Sequence, residues 1–244
     1  NARPRVYARL QSRKLDFDDL AGLIGAPPDP EETVSAKQQL QAETFKKRDR
    51  VLPDKSIKFS QLQQIDADVE YRALRVQAPK LPLDDFTLHL TIDDGRLEMD
   101  RLDFGVAQGT VGITFEIDAH DSPVRVKLIT SADQVNLSEL LAPYDVADDS
   151  FGTIGGQGTL WMKGESLAQW LASSDGGLFL TMTGGRLDAL LVELAGLDFA
   201  ESAVAFLGTD TGVPIDCGYT DLQARSGVVT IRPFLIDSKD TKFQ

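Results

Sequence analysis

Few side chains of the kind that carry chemistry occur in this sequence. Its two histidines, His89 and His120, fall on the polar side of an alternating run and beside a turn, so we do not expect a histidine-based metal site. Cys217 is the single cysteine, which excludes an intramolecular disulfide. It lies in a strand-like run without a neighbouring base, so we predict a small buried hydrophobic residue and not a nucleophile.

Two glycine-containing segments resemble known motifs without completing them. Residues 164–168 read Gly-Glu-Ser-Leu-Ala and lack the last glycine of a hydrolase nucleophile elbow, so Ser166 is predicted to cap a helix. Residues 152–158 are rich in glycine, but a phosphate-binding loop must follow a strand and open a helix. We therefore predict that residues 145–157 form a plain loop.

Paired aspartates are the remaining candidates for chemistry, because carboxylates are preferred ligands of Ca²⁺. None of the pairs has the Asp-x-Asp-x-Asp-Gly spacing that surrounds one ion, so we interpret them as solubilising or capping groups. They are Asp18-Asp19, Asp84-Asp85, Asp93-Asp94 and Asp148-Asp149. The sequence thus predicts no catalytic residue, no metal site and no cofactor, and an enzyme is not expected. A hydrolase with a divergent site is an alternative for which no nucleophile–base pair can be named.

The charge balance of the chain excludes further classes of partner. The 244 residues carry a formal net charge of -13, which argues against nucleic acid and against adsorption to anionic headgroups.

No run of about 18 apolar residues occurs, so no segment of this sequence is predicted to span a bilayer. The first residues have neither a start methionine nor the apolar core of a signal peptide. We expect the chain to be part of a longer protein.

The architecture is clearest between residues 86 and 118, where three runs alternate apolar and polar residues. Side chains of a strand point alternately to its two faces, so a period of two predicts strands with one apolar and one polar face. Asp94-Gly95, between the first two runs, is a strong hairpin signal. The alternation slips between Met99 and Leu102, which is typical of a bulge in a twisted sheet. An antiparallel meander is therefore predicted.

Similar patterns elsewhere predict a mainly β fold with a few short helices. Further strands are predicted at 5–17, 66–76, 124–128, 158–162, 177–182, 215–222 and 228–236, and short helices at 19–24, 61–65, 137–141 and 166–172. Leucines spaced at i, i+3, i+4 and i+7 predict a longer helix at 187–194. Because no βαβ rhythm occurs, we predict an α+β, mainly β fold built on a curved, twisted, groove-like antiparallel sheet.

A change in composition predicts how the chain is divided. Residues 26–50 are rich in proline, glutamine and charged residues and contain few apolar ones, so a flexible linker is predicted there. Residues 1–25 are then a strand and a short helix that belong to an upstream β region. Residues 51–244 form a β-rich domain.

The apolar face of the meander has two interpretations. It is either an ordinary core, covered by the 187–194 helix and its neighbours, or the floor of an open trough for hydrocarbon chains. In the second case, alternate residues of two runs would line the trough: Phe86, Leu88, Leu90, Ile92, Val111, Ile113, Phe115 and Ile117.

The order of motifs along the chain resembles that of a known family. Residues 15–28 read LDFDDLAGLIGAPP and precede the linker and the motif VLPD at 51–54. They are followed by IDADV at 65–69, LPLDDF at 81–86, DGRL at 94–97 and NLSELL at 136–141. The 158–167 segment, Cys217 and the terminal GVV…LID pattern at 227–237 complete the series. This series resembles the C-terminal region of the AsmA family of Gram-negative bacteria, over nearly the whole chain.

The resemblance implies a periplasmic, β-rich protein anchored in the inner membrane by a helix that is absent from this sequence. The AsmA-like group is similar to bridge-like lipid-transfer proteins, whose curved sheets form a hydrophobic groove. We therefore expect phospholipid acyl chains as ligands, in lipid transport and outer-membrane biogenesis, without enzymatic activity. The alternative is a structural or assembly module that binds envelope proteins and affects outer-membrane protein assembly.

Overall fold

The computed structural model describes residues 3–16, 56–57, 59–78, 83–144, 150–187, 213–238 and 241–243. These residues form one sheet of twelve strands with two short α-helices and two 3₁₀ helices. The strands are β1 (Arg5–Ser12), β2 (Leu15–Asp16), β3 (Asp66–Gln77), β4 (Leu83–Asp93), β5 (Arg96–Val106), β6 (Gly109–Asp118), β7 (Arg125–Asn136), β8 (Phe151–Lys163), β9 (Asp175–Leu187), β10 (Val213–Arg225), β11 (Val228–Ser238) and β12 (Thr241–Phe243). The helices are α1 (Leu137–Leu141) and α2 (Leu167–Ala172), and the 3₁₀ helices are Phe59–Gln61 and Ala142–Tyr144.

Neighbouring strands along the chain are also neighbours in the sheet. From β3 to β12 each strand pairs with the next in antiparallel orientation, whereas β1 and β2 both pair with β3 in parallel orientation. Within the part of the chain that the structure describes, β1 and β12 are unpaired on their outer sides, so the sheet is open. Its register shifts at several bulges, including the predicted one between Met99 and Leu102, and bulges bend and twist a sheet. The predicted fold class is confirmed.

Tight turns join the strands of three hairpins, and in the turn between β5 and β6 Ala107 and Gln108 have φ values of 48° and 65°. Asp94 and Gly95, between β4 and β5, have φ values of 47° and 76°. The turn between β10 and β11 is similar, since Ser226 and Gly227 have φ values of 49° and 77°. Two successive positive φ angles are the requirement of the type I′ turn, whose twist matches that of the flanking strands. The predicted Asp94-Gly95 hairpin is therefore confirmed.

Cross-strand pairing places the predicted apolar residues on one side of the sheet. Directly paired residues of neighbouring strands point to the same face, and Leu102 pairs with both Leu88 and Ile113. We call the face that carries these residues the apolar face. The opposite side, which carries His89 and its neighbours, is the polar face.

Two glycine-rich segments are strands, contrary to prediction. Residues Phe151–Lys163 form a single strand, so the loop predicted at 145–157 is wrong from residue 151 onwards. A Cβ on Gly156 would lie 2.4 Å from the carbonyl oxygen of Phe179, so glycine permits the close approach of β8 and β9. Strand β9 likewise continues through Gly184-Gly185 to Leu187, where the sequence predicts a turn into a helix.

The short helices that the structure describes follow their predicted capping residues. The side chain of Asn136 accepts the backbone N–H of Glu139 at the start of α1, and that of Ser166 accepts the N–H of Gln169 at the start of α2. The turn predicted at 61–65 is instead a 3₁₀ helix that begins earlier, at Phe59. The predicted helix at 19–24, the linker at 26–50 and residues 188–194 lie outside the described residues. The predicted division of the chain stays a prediction.

Two hydrophobic clusters lie at opposite ends of the strands on the apolar face. One contains Phe59, Ile117, Val124, Val126, Met162 and Trp170, and we call it the Trp170 cluster. The other contains Leu83, Val106, Ala107 and Val135, and we call it the Val135 cluster. They are at opposite ends because the Trp170 cluster contains Val126, near the start of β7, whereas the other cluster contains Val135, near its end.

Candidate functional site

A single row of side chains crosses the middle of the apolar face from β1 to β11. Each member of this row pairs directly with the next, so all of them point to the same side of the sheet. We call it the central row: Leu10, Tyr71, Leu88, Leu102, Ile113, Thr130, Gly158, Leu178, Leu222 and Ile231. Because strands stand about 4.8 Å apart, its nine steps span about 43 Å.

The central row is less buried than the clusters on either side of it. Its members from Tyr71 to Leu222 are half-buried, and Leu10 and Ile231 at its ends are 54% and 49% exposed. By contrast, Val126 in the Trp170 cluster and Val135 in the other cluster are 3% and 5% exposed. The apolar face therefore has a partly accessible strip between two buried margins. We call this strip, together with its two margins, the groove.

Aromatic packing forms the first margin of the groove. The ring of Trp170 on α2 lies 5.9 Å from that of Phe59 and 5.6 Å from that of Phe115 on β6, measured between centroids. Its indole N–H is buried and donates a hydrogen bond of 3.0 Å to the carbonyl oxygen of Gly164. The backbone N–H of Ile57 also donates to the carbonyl oxygen of Glu165, which ties the segment before the 3₁₀ helix to β8 and α2. Two short helices thus cover this end of the apolar face.

Helix α1 forms the second margin. Leu137 is 5% exposed, and Leu140 packs against the Val135 cluster. The helix is held near the β5–β6 turn because the side-chain amide of Gln108 donates to Glu139 at 2.8 Å. The backbone N–H of Asn136 also donates to the carbonyl oxygen of Ala107. Both ends of the strands are therefore closed by helical segments, while the middle is not covered by either.

The eight residues predicted to line a trough all lie on the apolar face, but in different surroundings. Phe86 and Ile117 are each 6% exposed, and Phe115 and Val111 pack against the Trp170 and Val135 clusters respectively. The half-buried residues outside both clusters are Leu88, Leu90, Ile92 and Ile113. The structure thus divides the set into residues of the margins and residues of the open strip. That they line a lipid groove stays a prediction.

The sequence reasoning missed the half of the central row that lies beyond β7. Leu178 and Leu222 were predicted to lie in strands, but nothing in their runs shows that they align with Ile113 across the sheet. That alignment depends on β8, whose glycines resemble a loop in the sequence. The alternating run Leu178, Leu180 and Met182 was the available signal.

The polar face carries ion pairs that cross from strand to strand. On β4, the two ring nitrogens of His89 lie 2.7 Å from Asp100 and 3.3 Å from Asp68. Arg9 on β1 donates two hydrogen bonds to Glu70 on β3, which lowers the pKa of that carboxyl below its ordinary value. The ion pairs make this part of the polar face strongly hydrated.

Cys217 is exposed, so the prediction of a buried residue is wrong. It pairs with Thr183 and Asp237, and Thr183 itself pairs with Thr153, so the register places the thiol on the polar face. His120 is also exposed, as predicted. Among the described residues, no three or more His, Cys, Asp or Glu side chains are grouped so that they could hold a metal ion.

Comparison with known proteins supports an assignment to a family. The sequence profile of the AsmA family matches residues 1–234. The chain is 25% identical over 241 residues to the AsmA family protein YhjG of Escherichia coli (strain K12), an alignment that covers 98% of this chain and 35% of that protein. The chain thus spans about a third of the length of this relative. No solved structure gives a significant match. In the part of the chain that the structure describes, no helix has the length and apolar character needed to cross a membrane. From the match over residues 1–234 we conclude that the chain belongs to the AsmA family.

Proposed function

We propose that the groove binds and guides phospholipid acyl chains, and that the chain is part of an envelope protein that transports lipid for outer-membrane biogenesis. The observation that carries this proposal is the central row. It is apolar at eight of its ten positions, with one threonine and one glycine, and it is half-buried over most of its length. An apolar strip that reaches across the sheet offers a path, whereas a single pocket would offer only a site.

The energetics of lipid transfer favour such a path. Each methylene exposed to water costs about 0.8 kcal/mol, so an acyl chain of about fifteen methylenes costs about 12 kcal/mol. Side chains of leucine and isoleucine give the acyl chain an apolar environment similar to the bilayer interior. They form no directional bonds with it. The acyl chain would therefore be shielded from water but free to move along the row.

The family, and not the fold, supports the proposed cellular location. AsmA family membership supports an envelope protein, and our proposal places it in the periplasm, tethered to the inner membrane. In that setting the polar face, with its cross-strand ion pairs, would face the aqueous periplasm. The open strip would be the surface that lipid occupies.

The test is photocrosslinking at adjacent positions of the same strands. A photoreactive amino acid is placed at Leu102, Leu178 or Leu222 on the apolar face, and at the next residue of each strand, on the polar face, as the matched control. We expect phospholipid adducts at the three leucine positions and none at Asp103, Phe179 and Gln223. Equal labelling of both sets, or labelling of neither, would contradict the proposal.

A second function, binding of envelope proteins as an assembly module, is favoured by the edge strand β1. Val6, Tyr7 and Leu10 on this strand are 43%, 70% and 54% exposed. An exposed edge with apolar side chains can accept a strand from a partner. Native mass spectrometry separates the two functions, because copurified phospholipid supports the groove, whereas a lipid-free protein that captures envelope proteins through β1 supports the module.

A further inference from the structure

A second concave site lies on the polar face, near the Val135 cluster end of the strands. It is a cleft of about 560 Å³ between the β5–β6 turn, the end of β7 and the facing parts of β8 and β9. The side chains that line it are short or neutral: Gln108, Asp133, Gln134, Thr153, Thr181 and Thr183. We call it the threonine cleft. It is separated from the groove by the thickness of the sheet.

The floor of the threonine cleft is Gly155. This residue pairs directly with Thr181, and a Cβ there would lie 3.3 Å from the threonine hydroxyl oxygen and 3.5 Å from the carbonyl oxygen of Ala132. The missing side chain therefore leaves the depression between the two threonine-bearing strands. Glycine inside a strand often marks a position where a ligand approaches the backbone.

The backbone at the rim adopts an uncommon conformation. Gln108 and Gln134, which both line the cleft, have φ values of 65° and 54°, the first as part of the β5–β6 turn. Residues other than glycine rarely adopt such left-handed conformations, and they concentrate at binding and catalytic sites. The strain at Gln134 accompanies the bulge that pushes residues 133 and 134 out of the β7–β8 pairing.

The lining of the cleft is rich in groups that both donate and accept hydrogen bonds. Hydroxyls and carboxamides have this double capacity, whereas carboxylates only accept and ammonium groups only donate. The amide of Gln108 is bonded to Glu139, but the hydroxyls of Thr153, Thr181 and Thr183 face the cleft without such a partner among the described residues. Among the described residues of the lining, Asp133 is the only charged group, in a chain whose net charge is -13.

An aromatic pair borders the cleft. Thr181 pairs directly with Tyr219 on β10, so the tyrosine stands beside the cleft on the same face. Its ring stacks with that of Phe179 at a centroid distance of 6.2 Å and an interplanar angle of 30°. Tyr219 is 37% exposed, so part of its ring surface is accessible beside the cleft.

We propose that the threonine cleft binds an uncharged pyranose sugar of a glycan. A sugar ring presents hydroxyls that donate and accept, which match the threonine and glutamine groups, and an apolar C–H face that matches Tyr219. Other classes of ligand fit less well. A phosphate would need cations, and none is among the described residues that line the cleft, whereas an acyl chain would leave the hydroxyls unpaired.

The experiment is an NMR titration of the whole chain with chitotriose and, separately, maltotriose. We expect either sugar to shift the backbone amides of residues 153–155 and 181–183 in a saturable manner at concentrations up to about 10 mM, which is the range of weak sugar binding. Thr181→Val removes one hydroxyl at nearly constant volume, and Gly155→Val fills the floor. Both should weaken binding at least about tenfold, whereas Thr181→Ser keeps the hydroxyl and should bind as the native chain does.

The matched control is Thr159→Val, which removes a hydroxyl from the same face of β8 outside the cleft. It should leave the titration unchanged. The proposal is overturned if neither sugar shifts those amides, or if Thr181→Val binds as tightly as Thr181→Ser. Neither of those two variants alters Gly155, so a comparison between them does not depend on whether Gly155→Val folds. The result is independent of lipid binding, since the groove lies on the opposite face.

Discussion

Nδ1 of His89 on β4 lies 2.7 Å from a carboxylate oxygen of Asp100 on β5. Nε2 of the same ring lies 3.3 Å from Asp68 on β3, so one imidazole links three neighbouring strands. Only the protonated ring donates from both nitrogens. The hydrogen bond to Asp100, and secondarily that to Asp68, raises the pKa of His89 above its ordinary value, although partial burial opposes the shift.

This link predicts that the sheet loses stability as the pH rises. A group whose pKa is raised by folding stabilises the folded state fully at pH values below its unfolded-state pKa, which is about 6.5 for histidine. This contribution is lost as the pH rises through the folded-state pKa. Between about pH 6 and about pH 9, the unfolding midpoint of the native chain should fall by roughly 1–2 °C more than that of His89→Gln. The difference is small because the His89–Asp100 pair is partly exposed to solvent. Calorimetry at several pH values measures the difference. Identical pH dependence in the two proteins would show that the link contributes nothing.

Glycine at position 156 is predicted to be required for the pairing of β8 with β9. A Cβ at this position would lie 2.4 Å from the carbonyl oxygen of Phe179, so Gly156→Ala must push the strands apart. We expect a loss of about 1–3 kcal/mol in the free energy of unfolding, measured by urea denaturation. Gly177→Ala is the control, because its Cβ would meet only the carbonyl oxygen of Leu222 at 3.5 Å, and the cost should stay within about 0.5 kcal/mol. Equal costs at the two glycines would contradict the close approach.

The contrast between β4 and β8 explains what the sequence can predict. Asp94-Gly95 and the alternation around it specify the hairpin locally, so the meander and its apolar face were predicted. Strand β8 contains Gly155, Gly156 and Gly158, and the strand conformation of Gly156 and Gly158 depends on close contacts with the neighbouring strand β9. Propensity alone therefore favours a loop, and tertiary contact overrides it. The exposure of Cys217, the half of the central row beyond β7 and the threonine cleft also depend on register, so the sequence alone did not predict them.

The two tryptophans provide a test of the margin built on α2. Trp170 is 7% exposed and packs between Phe59 and Phe115, whereas Trp161 is 54% exposed. We expect Trp170→Ala to cost about 3–5 kcal/mol in the free energy of unfolding. Trp161→Ala should cost less than about 0.5 kcal/mol. Each variant keeps one tryptophan, so fluorescence during guanidinium denaturation follows both, and similar costs would show that α2 does not seal this end of the apolar face.

A carboxylate in the open strip of the apolar face should interrupt lipid binding without unfolding the chain. Leu90 and Leu222 are half-buried, so an aspartate at either position keeps some contact with water, but it places a charge where an acyl chain would lie. We expect Leu90→Asp and Leu222→Asp to reduce copurified phospholipid roughly tenfold with a cooperative unfolding transition preserved. Phe115→Asp differs, because its ring contacts Trp170, and it should lower stability as well. Gln223→Asp adds the same charge one residue away, on the polar face, and should retain lipid. If Gln223→Asp lost as much lipid as Leu222→Asp, the loss of lipid would result from the added charge itself and not from the position of that charge in the groove.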